Sequence, residues 1–269
     1  MLVGLLIVGT GLSQQDSAGG GQHQTLQYFY SLQRKHILAM LPPHSAFPPI
    51  LDLSKEQISE HPKDKLWEYR SSALFGSTPI TDPGLNGPEE ATTDTWTYVD
   101  GDPTYALPAK GSDVVIAVPV TGETRVAYNH KLVYSRFELQ ILQVLKGKAK
   151  DGLYAGAHIS ALQLGGAVRF PSGHQQTFIM MHEGFVGIGK QYLLFIWKPS
   201  KGSCIASHAF PSSICQDVQS YAIGEAYLIQ RGVVFPIIAN NQQTAYSGMS
   251  WTAFEAKVKH AIAKNINTN

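Results

Sequence analysis

The chain has 269 residues, enough for one large domain or two small ones and for a sizeable hydrophobic core. Charged residues make up 15% of it, against roughly 25% in an average globular chain. The 21 basic and 20 acidic side chains leave a net charge of +1, a balance that argues against nucleic-acid binding, which wants a basic patch or stripe.

Met1 to Leu12 is apolar or small, with Gly11 and Ser13 placed for cleavage after Ser13. Such a run is too short to span a bilayer but fits the core of a signal peptide. Residues 1–13 therefore predict export, to a periplasmic or extracellular location, although the first basic residue is Arg34. A buried helix is the other reading of this segment. No later run approaches the roughly 18 apolar residues of a membrane span, so the remainder is expected not to cross a membrane. The two cysteines, Cys204 and Cys215, predict a disulfide in an exported chain. That bridge would contribute roughly 2–3 kcal/mol by closing a small loop. Two free, partly buried thiols are the alternative. Their spacing is not that of a zinc site.

Residues 14–110 read as a helical and irregular arm. Gln14 to His23 is a flexible Gly-, Ser- and Gln-rich leader. From Leu26 to Leu41, Leu26, Phe29, Tyr30, Ile37, Met40 and Leu41 share a helical stripe, and Pro42-Pro43 ends it. Ser54 and Gln57 are spaced as a capping box, with Leu53 and Ile58 as its hydrophobic staple, which predicts a helix starting there. Lys63 to Leu74 predicts a second short helix carrying Leu66, Trp67 and Arg70. Phe75 to Lys110 has no period and reads as an irregular connector, held to the main domain by Trp96, Tyr98 and Tyr105.

A β domain is predicted over residues 111–240. Val114 to Val120 is a β-branched run suited to a strand buried on both faces, and Pro119 marks an edge or a bulge. In the next strand Phe137, Leu139 and Ile141 alternate with Arg136, Glu138 and Gln140. The apolar parity then flips to Leu142 and Val144, the signature of a β-bulge, and bulged, coiled strands are how small barrels close. Further strands are expected at His158 to Leu164, stopping at Gly165-Gly166, and at Thr177 to Met181 after a Pro171-Ser172-Gly173 turn. Gln191 to Trp197 reads as a central strand, and Ser220 to Ile229 with Val233 to Ile238 as a hairpin around Gln230-Arg231-Gly232. Ser250 caps a C-terminal helix, within 247–266, whose stripe is Trp251, Phe254, Val258, Ala261 and Ile262. The fold class is mainly β with flanking helices (α+β).

Several motifs come in sequence: Ser112-Asp113-Val114-Val115, the strand around Tyr134 and Phe137, and Val144-Leu145-Lys146-Gly147-Lys148. Gly165-Gly166 and Val186 to Phe195, with Gly189-Lys190-Gln191-Tyr192-Leu193-Leu194-Phe195, follow. Over residues 112 to 198 this string resembles the netrin-like modules, which include the tissue inhibitors of metalloproteinases. It is also similar to exported bacterial proteins of uncharacterised function. The resemblance implies an OB-like, five-stranded β-barrel with flanking helices. Metalloproteinase inhibitors use a cysteine at the mature N-terminus to chelate the protease zinc. The expected mature start here is Gln14, and neither Cys204 nor Cys215 can take that part, so no functional residue carries over.

No motif nominates a cofactor, a metal or a catalytic group. His182-Glu183 lacks the second histidine of a helical zinc site, and His158, His174 and His208 are scattered, as surface histidines are. Ser172 is a turn residue, and the serine of Gly248-Met249-Ser250-Trp251 is a helix cap, not a nucleophile elbow. Gly184 to Lys190 leads into a strand, unlike a phosphate loop. Trp96, Tyr98, Tyr105 and Tyr128 could line a groove, but packing of the connector is the expected role. The reading is a non-enzymatic module binding a protein or polysaccharide partner. A hydrolase with a dispersed His/Asp/Ser site and a structural envelope component are the alternatives.

Overall fold

The computed structural model describes residues 35, 39, 41–58, 63–75, 79–82, 90–94, 112–180, 183–198, 220–238 and 246–266. The leader, both cysteines, and Trp96, Tyr98 and Tyr105 lie outside the described residues. So does most of the 26–41 stretch, of which Lys35 and Ala39 are helical.

The chain is mainly β, with two sheets and a C-terminal helix. Its elements are β1 (Ile50–Asp52), α1 (Lys65–Phe75), β2 (Glu90–Asp94), β3 (Asp113–Val126), β4 (Val133–Lys146), β5 (His158–Leu164), β6 (Gly166–Arg169), β7 (Gln175–Met180), β8 (Gln191–Trp197), β9 (Tyr221–Gln230), β10 (Val233–Ile238) and α2 (Trp251–Ile266). A four-stranded sheet runs β1-β6-β7-β2, and a six-stranded sheet runs β10-β9-β5-β4-β3-β8. β9 also pairs with β8, so β3, β4, β5, β9 and β8 each have two neighbours in a closed cycle of pairings. Every pairing in that cycle is antiparallel except β5–β9.

Two apolar layers explain why Val114 to Ala117 is buried at four successive positions. Val115 and Ala117 face the cluster of Phe137, Leu139, Ile141, Tyr192, Leu194 and Leu228 inside the cycle. Val114 and Ile116 face outward, onto Phe254, Val258 and Ile262 of α2. Ser250 caps α2 as its sequence predicts, its hydroxyl accepting the Ala253 N–H at 3.4 Å.

The parity flip of β4 is a bulge. Ile116 faces Gln143 and Ala117 faces Ile141, which leaves Leu142 as the extra residue. Leu142 is therefore 43% exposed and does not turn inward as the alternation suggested, whereas Val144 does pack on the inner cluster. Of the two other register shifts in this ladder, one lies between Val114 and Val115 and one follows Pro119, which lies just past the stretch of β3 that pairs with β8. At that position β8 needs no N–H from β3, so a proline is tolerated in a strand that is otherwise central.

Four expectations need correction. No helix begins at Ser54: Asp52 accepts from the Ser54 N–H and hydroxyl at 3.2 and 2.6 Å, and its carbonyl accepts from Lys55 and Glu56. The residues Asp, Ser and Lys close an Asx turn, the competing use of the same polar side chains. Leu53 and Ile58 both pack instead against a cluster of Leu51, Val126, Val133, Val168 and Phe170. The 75–110 connector holds a strand, β2, parallel to β7. β5 does end at Leu164, before Gly165-Gly166, as expected, but the pair turns the chain directly into β6, a strand the sequence did not predict. A Cβ at Gly165 would lie 2.6 Å from the Phe178 carbonyl, and its φ is +89°. Finally, β3 continues to Val126, six residues beyond the apolar run that marks it.

Candidate functional site

The densest polar network among the described residues lies where α1 crosses the outer face of β4, β5 and β9. α1 is seated by Trp67, which packs with Ala127, Leu132, Tyr134, Leu162 and Ala222. The Trp67 and Tyr134 rings stand 4.9 Å apart. This seat carries Asp64 and Glu68, both fully buried, down onto the strands.

Each buried carboxylate finds donors, as a buried charge must. The Tyr134 hydroxyl donates to Glu68 Oε1, and the Tyr128 N–H approaches Glu68 Oε2 at 3.4 Å. Asp64 Oδ1 accepts from the Ser220 hydroxyl at 2.6 Å, and Asp64 Oδ2 lies 3.7 Å from Arg136 Nε. The Ser160 and Ser220 oxygens are 3.1 Å apart. Because the single Ser220 proton is given to Asp64, Ser160 donates to Ser220 and accepts from Arg136 Nε at 2.9 Å. Burial, and then the facing charges of Glu68 and Asp64, hold the Tyr134 hydroxyl far above the usual phenol range. It is a permanent donor, and the network is a fixed clamp from α1 to three strands.

Along the same outward face the band opens to solvent. Alternation places Arg136, Glu138 and Gln140 of β4 beside Ser160 and His158 of β5 and Glu123 of β3. Arg136 Nη1 reaches Glu123 Oε1 at 3.4 Å, and Arg125 holds both Glu123 oxygens at 3.0 Å. His158 Nδ1 lies 2.7 Å from Glu138 Oε1, with both side chains about half exposed. The band thus offers fixed guanidinium donors, carboxylate acceptors, and an imidazole and an amide that can serve as either.

The residues singled out in the sequence fare differently. His158 belongs to the band. His174 is buried beside Phe170 instead of lying on the surface. The Ser172 hydroxyl donates to Asp82 at 2.5 Å and ties the β6–β7 turn to residue 82. Gly184 to Lys190 bridges to Ala46 through Phe185 and then makes a tight turn into β8, closed by the Lys190 N–H to the Gly187 carbonyl at 3.3 Å. Tyr128 packs on Tyr69, at 4.8 Å. Cys204, Cys215, His182 and His208 lie outside the described residues. Among the described residues no three His, Cys, Asp or Glu side chains converge as metal ligands. Asp64, Glu68, Tyr134, Ser160 and Ser220 carried no sequence signal, because the bond from Ser220 to Asp64 joins positions 156 residues apart. The one local clue is Glu68 beside the apolar Leu66-Trp67 pair of α1.

No family model matches the chain, and neither a curated protein nor a solved structure matches it significantly.

Proposed function

We propose that this is an exported, non-catalytic binding module built on an OB-like, netrin-like barrel, which holds a polysaccharide on the outer face of β3, β4 and β5. The barrel reading is supported by the cycle of pairings. β3, β4 and β5 form an antiparallel meander, β5 meets β9 in parallel, and β8 lies antiparallel between β9 and β3. That order and sense match the five-stranded OB-type arrangement, in which the second and third strands present the working face.

The observation that carries the functional reading is the band Glu123, Arg136, Glu138, Gln140, His158 and Ser160 on that face. Sugar hydroxyls donate and accept at once, so a surface that fixes both donors and acceptors suits them. A protein interface would centre on an apolar or aromatic anchor. The exposed large apolar residues among those described are Ile50, Leu142, Tyr154 and Ile188, and none belongs to the band. The mixed charge likewise disfavours nucleic acid.

The test is titration of the isotope-labelled chain with a panel of neutral and uronate-containing oligosaccharides, followed by backbone amide shifts. The reading expects perturbation centred on Arg136, Glu138, Gln140 and His158, abolished by Glu138→Ala and His158→Ala, whose half-exposed side chains contribute little to stability. Shifts confined to another face, or turnover of any added oligosaccharide, would contradict it.

A further inference from the structure

From the loop joining β4 to β5 we infer a second interaction surface, one that seats the protein on an anionic lipid leaflet. The loop, Gly147 to Ala157, is built rigidly. Leu153 is buried beneath it, the Ala149–Asp151 stretch forms a 3-10 turn, and Gly152 closes that turn at φ +85°. The Tyr221 hydroxyl donates to the Asp151 carbonyl at 2.8 Å, and Ile141 exchanges hydrogen bonds with Gly156 and Ala157 at 2.7 and 2.9 Å. What such a frame exposes is held outward by construction.

It exposes an unusual pair. Tyr154 is 57% exposed, the most of any large apolar side chain among the described residues, and Leu142 is 43% exposed. The Ile141 bonds to Gly156 and Ala157 place bulged Leu142 beside the turn that carries Tyr154. The end of β4 and the loop carry Lys146, Lys148 and Lys150, against Asp151 alone within the loop. Among the described residues none of these three ammonium groups has a carboxylate at ion-pair distance, although Asp113 lies near enough to feel Lys146 and Lys148. Lys198 joins the same end of the molecule, its ammonium 4.7 Å from the Tyr221 ring centre.

Lysines in excess over Asp113 and Asp151, on the loop that exposes an outward tyrosine beside a bulged leucine, fit one partner better than its rivals. Lysines near an anionic leaflet are attracted through its surface potential. A tyrosine sits well at headgroup depth, with its ring in the acyl boundary and its hydroxyl in water. Leu142 gives the lipid reading its edge over an anionic glycan, since an aliphatic tip gains nothing from a sugar chain but does gain from insertion. The surface would be peripheral, and it is independent of the polysaccharide reading of the band.

The experiment is co-sedimentation of the full chain with phosphatidylcholine vesicles, with and without phosphatidylglycerol. The inference expects binding only when phosphatidylglycerol is present, and weakening as salt rises. Lys148→Glu with Lys150→Glu should lower the partition coefficient about tenfold or more, from the attraction lost per lysine. Leu142→Ser with Tyr154→Ser should weaken binding without changing its salt dependence, with circular dichroism confirming an unaltered fold. Lys257→Glu, on the exposed face of α2, should change little. Equal binding to both vesicle types, or an equal effect of Lys257→Glu, would overturn the inference. So would retention on dextran sulfate without vesicle binding, which would assign the surface to an anionic glycan.

Discussion

The Tyr134 hydroxyl faces two buried carboxylates, and its position explains why α1 lies where it does. Removing that hydroxyl by Tyr134→Phe keeps the ring against Trp67 but leaves Glu68 short of its best donor. A lost hydrogen bond to a buried charge costs about 2–3 kcal/mol, so urea unfolding should show a loss of that size. Ser220→Ala should cost less, because Asp64 retains Arg136 nearby. Glu183 makes a prediction of the opposite kind. Burial pushes its carboxyl up from 4.5 to about 7, so the folded chain keeps a proton that the unfolded chain has released across that interval. Stability should therefore fall as pH rises from about 4.5 to about 7 and level off above. In Glu183→Gln that decline should be shallower than in the unsubstituted chain; identical pH profiles would show that the Glu183 carboxyl is not raised in the folded state.

Among the elements, the strands legible from sequence were those whose neighbours lie close in the chain or whose burial is complete. The β9–β10 hairpin is one: Arg231 and Gly232 have φ of +52° and +76°, the positive pair of a type I′ turn. Arginine is a poor occupant of that conformation and asparagine a good one. Arg231→Asn should thus raise stability by about 0.5–1 kcal/mol, read as a shift in the thermal midpoint. The stripe of α2 was equally readable, and Phe254→Ala, which opens a void against Val114, Phe195 and Tyr227, should cost about 3–4 kcal/mol. Ser54 misled because Asp, Ser and Gln serve turns and helix caps alike, and only the anchoring of Leu53 to the Arg169 carbonyl decides between them. β2 and β6 could not be read. Glu90-Ala91-Thr92-Thr93-Asp94 has no apolar alternation, and its pairing with β7 is supplied by residues more than eighty positions away.

For the whole molecule, the clamp beneath the candidate site depends on closure. His158 and the bulge at Leu142 were visible in the sequence, but the clamp of Asp64, Glu68, Tyr134, Ser160 and Ser220 was not. It exists only because the β5–β9 contact brings Ser220 to β5 while α1 crosses above. That contact is short, pairing Ala161 with Tyr221 and Leu162 with Ala222, and it completes the cycle together with the longer β8–β9 ladder. Closure also leaves β10 as an edge, and that edge is covered: Val234 exchanges backbone bonds with Gly248 and Met249, and Ile237 accepts from Gly184. The most direct measurement is of interstrand backbone NOEs in the isotope-labelled chain. The account predicts contacts between Ala161–Leu162 and Tyr221–Ala222 alongside those between Leu193–Leu194 and Ala226–Tyr227. If the second set appears without the first, the sheet is open and the clamp through Ser220 does not stand as described.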